Sequence, residues 1–255
     1  MKYILPLIAA VLVLFVACQP PVTPGTPAGA IAVQGTGDTL LLSWPQVTDA
    51  QGYYVYLDGV KITITALSYL VTTPVKKIEV SSYNGSEESE KWSKSTVVKK
   101  TPSLTAYGIG DPTSTVNAFG FTTTDGTCIA VDLASSANWP NADFILEDRA
   151  PDPMSFWSPD AYGPPGPYNT KDNASAPSTV TDFDALTVAP GSGVYNTKSP
   201  ISENAVYSIW IDPTNNGWST DDHFGKVKVV SIQGHMVVMT AGYQLIGGLR
   251  WIISE

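Results

Sequence analysis

Residues 52–59 read Gly52-Tyr53-Tyr54-Val55-Tyr56-Leu57-Asp58-Gly59. Tyr53 and Val55 fall on one side of the run and Tyr54 and Tyr56 on the other, which is the period of a half-buried strand, and Asp58-Gly59 supplies a turn. The pattern repeats on both sides. Leu40, Leu42 and Trp44 alternate with Leu41 and Ser43. Ile78, Val80 and Ser82 form a further alternating run closed by Asn84-Gly85, and Thr96 to Val98 supplies a last one. Roughly seven short strands in about 75 residues, with no helical period, predict a β-sandwich.

The whole chain supports that class. It has 255 residues and 27.2 kDa, with 43% hydrophobic and only 15% charged residues, 21 Gly, 20 Pro and 12 Tyr. Such a chain can bury real cores, is not globally disordered and is not a long coiled coil. Fourteen bases against 23 acids give a net charge of -9, which repels phosphate backbones and disfavours nucleic acid as a partner. Residues 28–101 hold seven acids and seven bases, whereas residues 102–255 hold 16 acids and six bases, so the acidic field belongs to the second segment.

On Trp44, the run 52–59 and the run Ile78 to Ser89, residues 28–101 resemble a bacterial fibronectin type III domain. The resemblance implies that Trp44 is the core tryptophan and that the module is a spacer or adhesive unit. The family's corner tyrosine is absent near Lys76, so that corner must be closed differently.

The second segment, 102–255, is also strand-rich. Asp125-Gly126 predicts a type I′ hairpin between Phe119 to Thr123 and Cys128 to Leu133. Ala205 to Ile211, Phe224 to Ile232, Met236 to Tyr243 and Leu249 to Ile253 predict four more strands. An all-β chain follows: a fibronectin type III-like sandwich, then a second antiparallel sandwich or partly closed barrel. The stretch Phe224 to Val229, with Gly242-Tyr243-Gln244, is weakly similar to β-rich surface lipoproteins of the haem-carrier HmuY type.

The N-terminus carries an address. Met1-Lys2-Tyr3 precedes an apolar run from Ile4 to Ala17, too short to span hydrocarbon, which needs about 20 residues. It reads as a secretory signal over residues 1–17. Phe15-Val16-Ala17-Cys18 resembles the lipobox of bacterial lipoproteins, with Phe15 where that family usually has Leu. The resemblance implies cleavage before Cys18, diacylglyceryl modification of its sulfur and, from Gln19, sorting to the outer membrane. An ordinary cleaved signal with an unmodified thiol is the alternative. Residues 18–27 then form a lipidated cysteine and a linker in which Pro20, Pro21, Pro24 and Pro27 favour an extended spacer. If Cys18 is acylated, Cys128 has no disulfide partner, and its setting between Thr127 and Ile129 predicts a small buried hydrophobe.

Motif-borne chemistry is lacking. His223 and His235 flank one strand and stand about 40 Å apart if it is straight, so they cannot share a metal or haem iron. Asp143, Glu147, Asp148, Asp152 and Asp160 crowd a short region and could supply an acid pair for glycoside cleavage, although a solvated acidic surface explains them as well. Asp212, Asn215, Asn216, Asp221 and Asp222 offer oxygen ligands, but His223 stands where an EF-hand requires a bidentate Glu, and a hairpin loop is the simpler reading. No cofactor, metal site or catalytic residue is assigned.

The candidate surface is the stretch Arg149 to Ser178, a proline-rich segment with no strand or helix pattern, holding Phe156, Trp157, Tyr162 and Tyr168. Stiffened by proline, these rings could stack on sugars or anchor a protein, with Trp139 and Trp218 joining them; alternatively they cap the core. The expectation is a cell-envelope lipoprotein, lipid-anchored at the outer membrane or cell surface. It recognises extracellular carbohydrate or protein through Trp139, Trp157, Tyr162, Tyr168 and Trp218 and is not an enzyme. An acid-pair glycan hydrolase and a purely structural envelope protein are the rivals.

Overall fold

A computed structural model describes residues 22–27, 32–35, 37–162 and 171–255. The chain is all-β, as expected, and its sheets form two sandwiches rather than a closed barrel.

The first sandwich contains β1 (Ala32–Gly35), β2 (Leu40–Ser43), β3 (Gly52–Leu57), β4 (Val60–Ile64), β5 (Ser68–Val71), β6 (Lys77–Asn84), β7 (Glu87–Glu88) and β8 (Trp92–Ser95). One sheet has the order β1-β2-β5. The other has the order β4-β3-β6, with β7 and β8 pairing successive parts of the outer edge of β6. The period-two reading is realised: Leu40, Leu42, Tyr53, Val55, Ile78 and Val80 all point into one core, and Trp44 meets Tyr53 edge-on at 5.4 Å. Thr96 to Val98, expected as a strand, is instead the connection between β8 and the next strand.

The corner leading into β6 is held by Asp58. Its carboxylate accepts the backbone N–H groups of Lys76 (2.9 Å) and Lys77 (2.8 Å), while the Thr96 hydroxyl donates to the Val75 carbonyl. Side chain to backbone bonding fixes this corner.

The second sandwich begins with β9 (Lys99–Tyr107), which runs straight through the expected junction at residues 101 and 102. It continues with β10 (Ala118–Phe121), β11 (Cys128–Val131), a short 3-10 helix (Ser136–Asn141), β12 (Phe144–Glu147), β13 (Ser155–Trp157), β14 (Ala174–Pro177), β15 (Lys198–Pro200), β16 (Val206–Ile211), β17 (His223–Gln233) and β18 (Met236–Tyr243). Two five-stranded antiparallel sheets, β11-β10-β12-β13-β15 and β14-β16-β17-β18-β9, enclose a core of Phe119, Phe121, Phe144, Phe156, Tyr207, Val227 and Met239. Cys128 packs in this core, and burial pushes its thiol pKa up, so it is an inert hydrophobe as its sequence setting predicts.

Three expectations need correction. The β10–β11 hairpin forms, but not through a type I′ turn: Gly126 has φ of 72° while Asp125 keeps a negative φ. Asp125 instead accepts the Thr127 N–H at 3.0 Å, an Asx arrangement that builds a longer loop. Leu249 to Ile253 is not a strand of the second sheet. It makes only isolated bridges, Leu249 to Gly37 and Trp251 to Val188, and its side chains Leu249, Trp251 and Ile253 complete the core of the first sandwich. Gly35 permits this approach, because a Cβ there would lie 2.3 Å from the Leu249 nitrogen. The linker is not free along its length either. Pro24 and Pro27 are buried, and the Gly25 carbonyl accepts the Ser82 hydroxyl at 2.5 Å.

Candidate functional site

The outer face of the sheet β11-β10-β12-β13-β15 gathers three of the five expected aromatic residues. Its register places Val131, Ala118, Ile145, Trp157 and Lys198 side by side across all five strands, pointing away from the core. Trp139, on the 3-10 helix, and Tyr162, on the segment after β13, pack against Ala118, Val131 and Ile145 in the same patch. The Trp139 indole N–H donates to the Leu133 carbonyl at 2.9 Å, which fixes the ring. All three aromatic side chains are half-buried.

The polar rim is built from long cations. The Lys198 ammonium stands 3.7 Å from the centroid of the Trp157 ring. Trp157 meets Tyr162 at 6.2 Å with their planes 69° apart, so the two rings form a corner rather than a flat platform. Arg149 lies 5.5 Å over Tyr162, donates to its hydroxyl at 3.1 Å, and grips Glu147 with two bonds, 3.0 Å from Nε and 2.6 Å from Nη2. Burial works to raise the Glu147 pKa, but hydrogen bonds and charge from Arg149 outweigh it, and the carboxyl is held below its ordinary range.

Trp218 does not join this patch. Forty-two per cent exposed, it caps the outer face of the opposite sheet, 5.6 Å from Trp210, 5.2 Å from Phe224 and 6.0 Å from Tyr195. Tyr168 and Cys18 lie outside the described residues. The acidic cluster is dispersed by its partners: Glu147 serves Arg149, Asp148 binds the His235 imidazole and the Gly110 N–H, and Asp143 binds Lys171. His223 and His235 occupy opposite ends of β17 and its turn, as their spacing predicts. In the loop after β16, Asp212 accepts the N–H groups of Thr214 and Gly217 and Asp222 accepts those of Ser219 and the Trp210 indole, so these carboxylates shape the loop. Among the described residues no group of three His, Cys, Asp or Glu could hold a metal ion. No helix among them is long and apolar enough to cross a membrane.

At the end of the second sandwich a pocket of about 410 Å³ opens between Phe121 to Thr124, Pro140-Asn141, Asp143, Lys171, Ile211, Pro213 and Tyr243. Asp143 is 2% exposed; its Oδ1 accepts Lys171 Nζ at 2.7 Å and its Oδ2 accepts the Phe121 N–H at 2.7 Å. No local motif announces the pocket, because its walls come from five separate stretches of chain.

No family model matches this chain. No curated protein matches it either. A structural neighbour is a DUF4466 family protein from Parabacteroides merdae, known from a crystal structure, with a TM-score of 0.42 and 11% identity over 86% of this chain and 96% of that one.

Proposed function

We propose that the protein is a lipid-anchored cell-envelope module that binds extracellular carbohydrate or protein without transforming it. The observation that carries this reading is the five-strand row from Val131 to Lys198, with Trp139 and Tyr162 set beside it. Half-buried aromatic rings held by a scaffold, with Lys198 and Arg149 at their margins, offer apolar area and donors together at low ordering cost. A non-catalytic role is supported by the state of two of the crowded carboxylates: Asp143 and Glu147 each already hold a base, so these two do not share a proton. In the same reading the first sandwich is a fibronectin type III-like spacer around Trp44, and acylated Cys18 tethers it.

The test is retention of the full mature chain on a glycan array and on immobilised envelope and host-surface proteins, compared with Trp157→Ala and Lys198→Ala. Retention lost by about tenfold or more in both variants is expected. Equal retention by the variants, or none by the native chain, would overturn the reading. Mass spectrometry of the exported protein should show an acylated Cys18 at the new N-terminus; an unmodified thiol would remove the anchor.

A further inference from the structure

The pocket lined by Phe121, Asp143, Lys171 and Tyr243 carries a second, more specific inference, which does not rest on the aromatic face or on the anchor. Tyr243 is 1% exposed, and its ring is stacked between Phe121 at 5.0 Å and His223 at 5.1 Å. That clamp fixes the direction of its hydroxyl. Among the described residues its hydroxyl makes no hydrogen bond, and the side chain lines the pocket. A buried hydroxyl without a partner is costly, and one left facing a cavity is a donor waiting for an acceptor.

Beside it stands Lys171, whose ammonium spends one bond on Asp143 and keeps further N–H groups. Thr123 and Thr124 hold exposed hydroxyls at the mouth, and Phe121, Ile211, Pro140 and Pro213 give apolar walls. Charge decides between ligand classes. The Lys171 charge is cancelled by Asp143, so the site has no surplus cation to attract an anion, and the segment around it carries 16 acids against six bases. A cationic ligand would meet the Lys171 ammonium directly. A neutral ligand with several hydroxyls and one apolar face fits both the donors and the walls, and the volume lies within the range of ordinary small-molecule sites.

We propose that this pocket binds one sugar ring or comparable neutral polyol, with Tyr243 and Lys171 donating to its oxygens and its apolar face against Phe121 and Ile211. Binding is non-covalent and involves no proton transfer.

The test uses the full mature chain and NMR titration with D-glucose, D-galactose, D-mannose, N-acetyl-D-glucosamine and myo-inositol, each to about 100 mM, a range that reaches weak single-ring affinities. At least one probe should shift the amides of residues 122–124, 143 and 171. Tyr243→Phe, which removes only the oxygen, and Lys171→Met should each weaken that probe by about tenfold. The double substitution Thr123→Val with Thr124→Val, on an exposed loop, should weaken it too and guards against a folding defect in the buried variants. Trp157→Ala should leave the single-ring probe unchanged, which separates this pocket from the aromatic face. The inference is overturned if no probe shifts those amides, or if the shift survives in the Tyr243, Lys171 and threonine variants alike.

Discussion

The indole N–H of Trp251 donates to the backbone carbonyl of Asp38 at 2.9 Å, across 213 residues of chain. Trp251 is fully buried, and with Ile246, Leu249 and Ile253 it fills the core of a sandwich whose strands come from residues 32–95. Gln244 adds polar stitches, donating to the Thr96 and Trp251 carbonyls at 2.7 Å each. The core of the first sandwich is therefore completed by residues that follow β18, which predicts one cooperative unfolding unit.

Trp251→Ala should destabilise by about 3–5 kcal/mol, the usual range for emptying an aromatic site in a core. Urea unfolding followed by tryptophan fluorescence and by far-ultraviolet circular dichroism should give one coincident transition, shifted to lower denaturant in the variant. Two separate transitions in the native protein, with only one moved by the substitution, would contradict the coupling.

Asp58→Ala tests the corner. The substitution strips acceptors from the Lys76 and Lys77 N–H groups, both at the surface, where water can partly replace them. A loss of about 1 kcal/mol is expected. Asp58→Asn should recover part of it, because the amide oxygen still accepts. Denaturant midpoints of the two variants measure the difference.

Lys226 gives a pH signature. Its ammonium is buried on the outer face of the β14-β16-β17-β18-β9 sheet, donates to the Leu186 carbonyl at 2.8 Å and lies 4.5 Å from the Phe183 ring centroid. Burial lowers its pKa to about 8, with Asp184 opposing the shift. Between about pH 8 and 10.5 the unfolded chain binds the proton that the folded chain has lost, so this group makes stability rise with pH through that window. Below pH 8 both states are charged and its full cost is present. The half-buried Tyr195 and the buried Tyr207 and Tyr243 have raised pKa values, all from desolvation first, and pull the other way above their unfolded value of 10.0. Stability measured by urea titration should therefore climb from pH 8 toward 10 and then fall. In Lys226→Met the climb should disappear.

The His235 imidazole is bonded to Asp148, which raises its pKa. Gly108 makes room for that carboxylate, since a Cβ there would lie 2.1 Å from it. The sign is that of a group gaining a partner: its contribution is complete below the unfolded value and is lost as pH rises through the folded one. In Asp148→Asn the imidazole should titrate at lower pH than in the native protein, read from its carbon-bound proton shifts. An unchanged midpoint would show that the bond is not formed in solution.

What was legible in the sequence was local. Period-two alternation puts Leu40, Leu42, Tyr53, Val55, Ile78 and Val80 in a core, and strand-rich runs joined by turns locate β16, β17 and β18 to within a residue or two. The rings of the Arg149 to Ser178 stretch are legible in the sequence, and Trp157 and Tyr162 do come together, with Trp139 packed on the same cluster as Tyr162. Trp218 is equivalent on composition, yet the loop between β16 and β17 carries it over the outer face of the opposite sheet. The tail from Leu249 reads as a strand because it is apolar. Its destination, however, depends on an opening in the first sandwich that only the assembled fold contains. The pocket is hidden for the same reason: Asp143, Lys171 and Tyr243 are far apart in the chain and meet through sheet packing.

The late position of Trp251 also governs the order of events during synthesis. Strands β1 to β8 leave the ribosome first, but they cannot close a dry interior until the chain has been made past Ile253. Contacts this distant slow folding. Until residues 246–253 have been supplied, the apolar faces of the first sandwich stay uncovered, and a chain stopped before Ile246 would leave that core prone to aggregate.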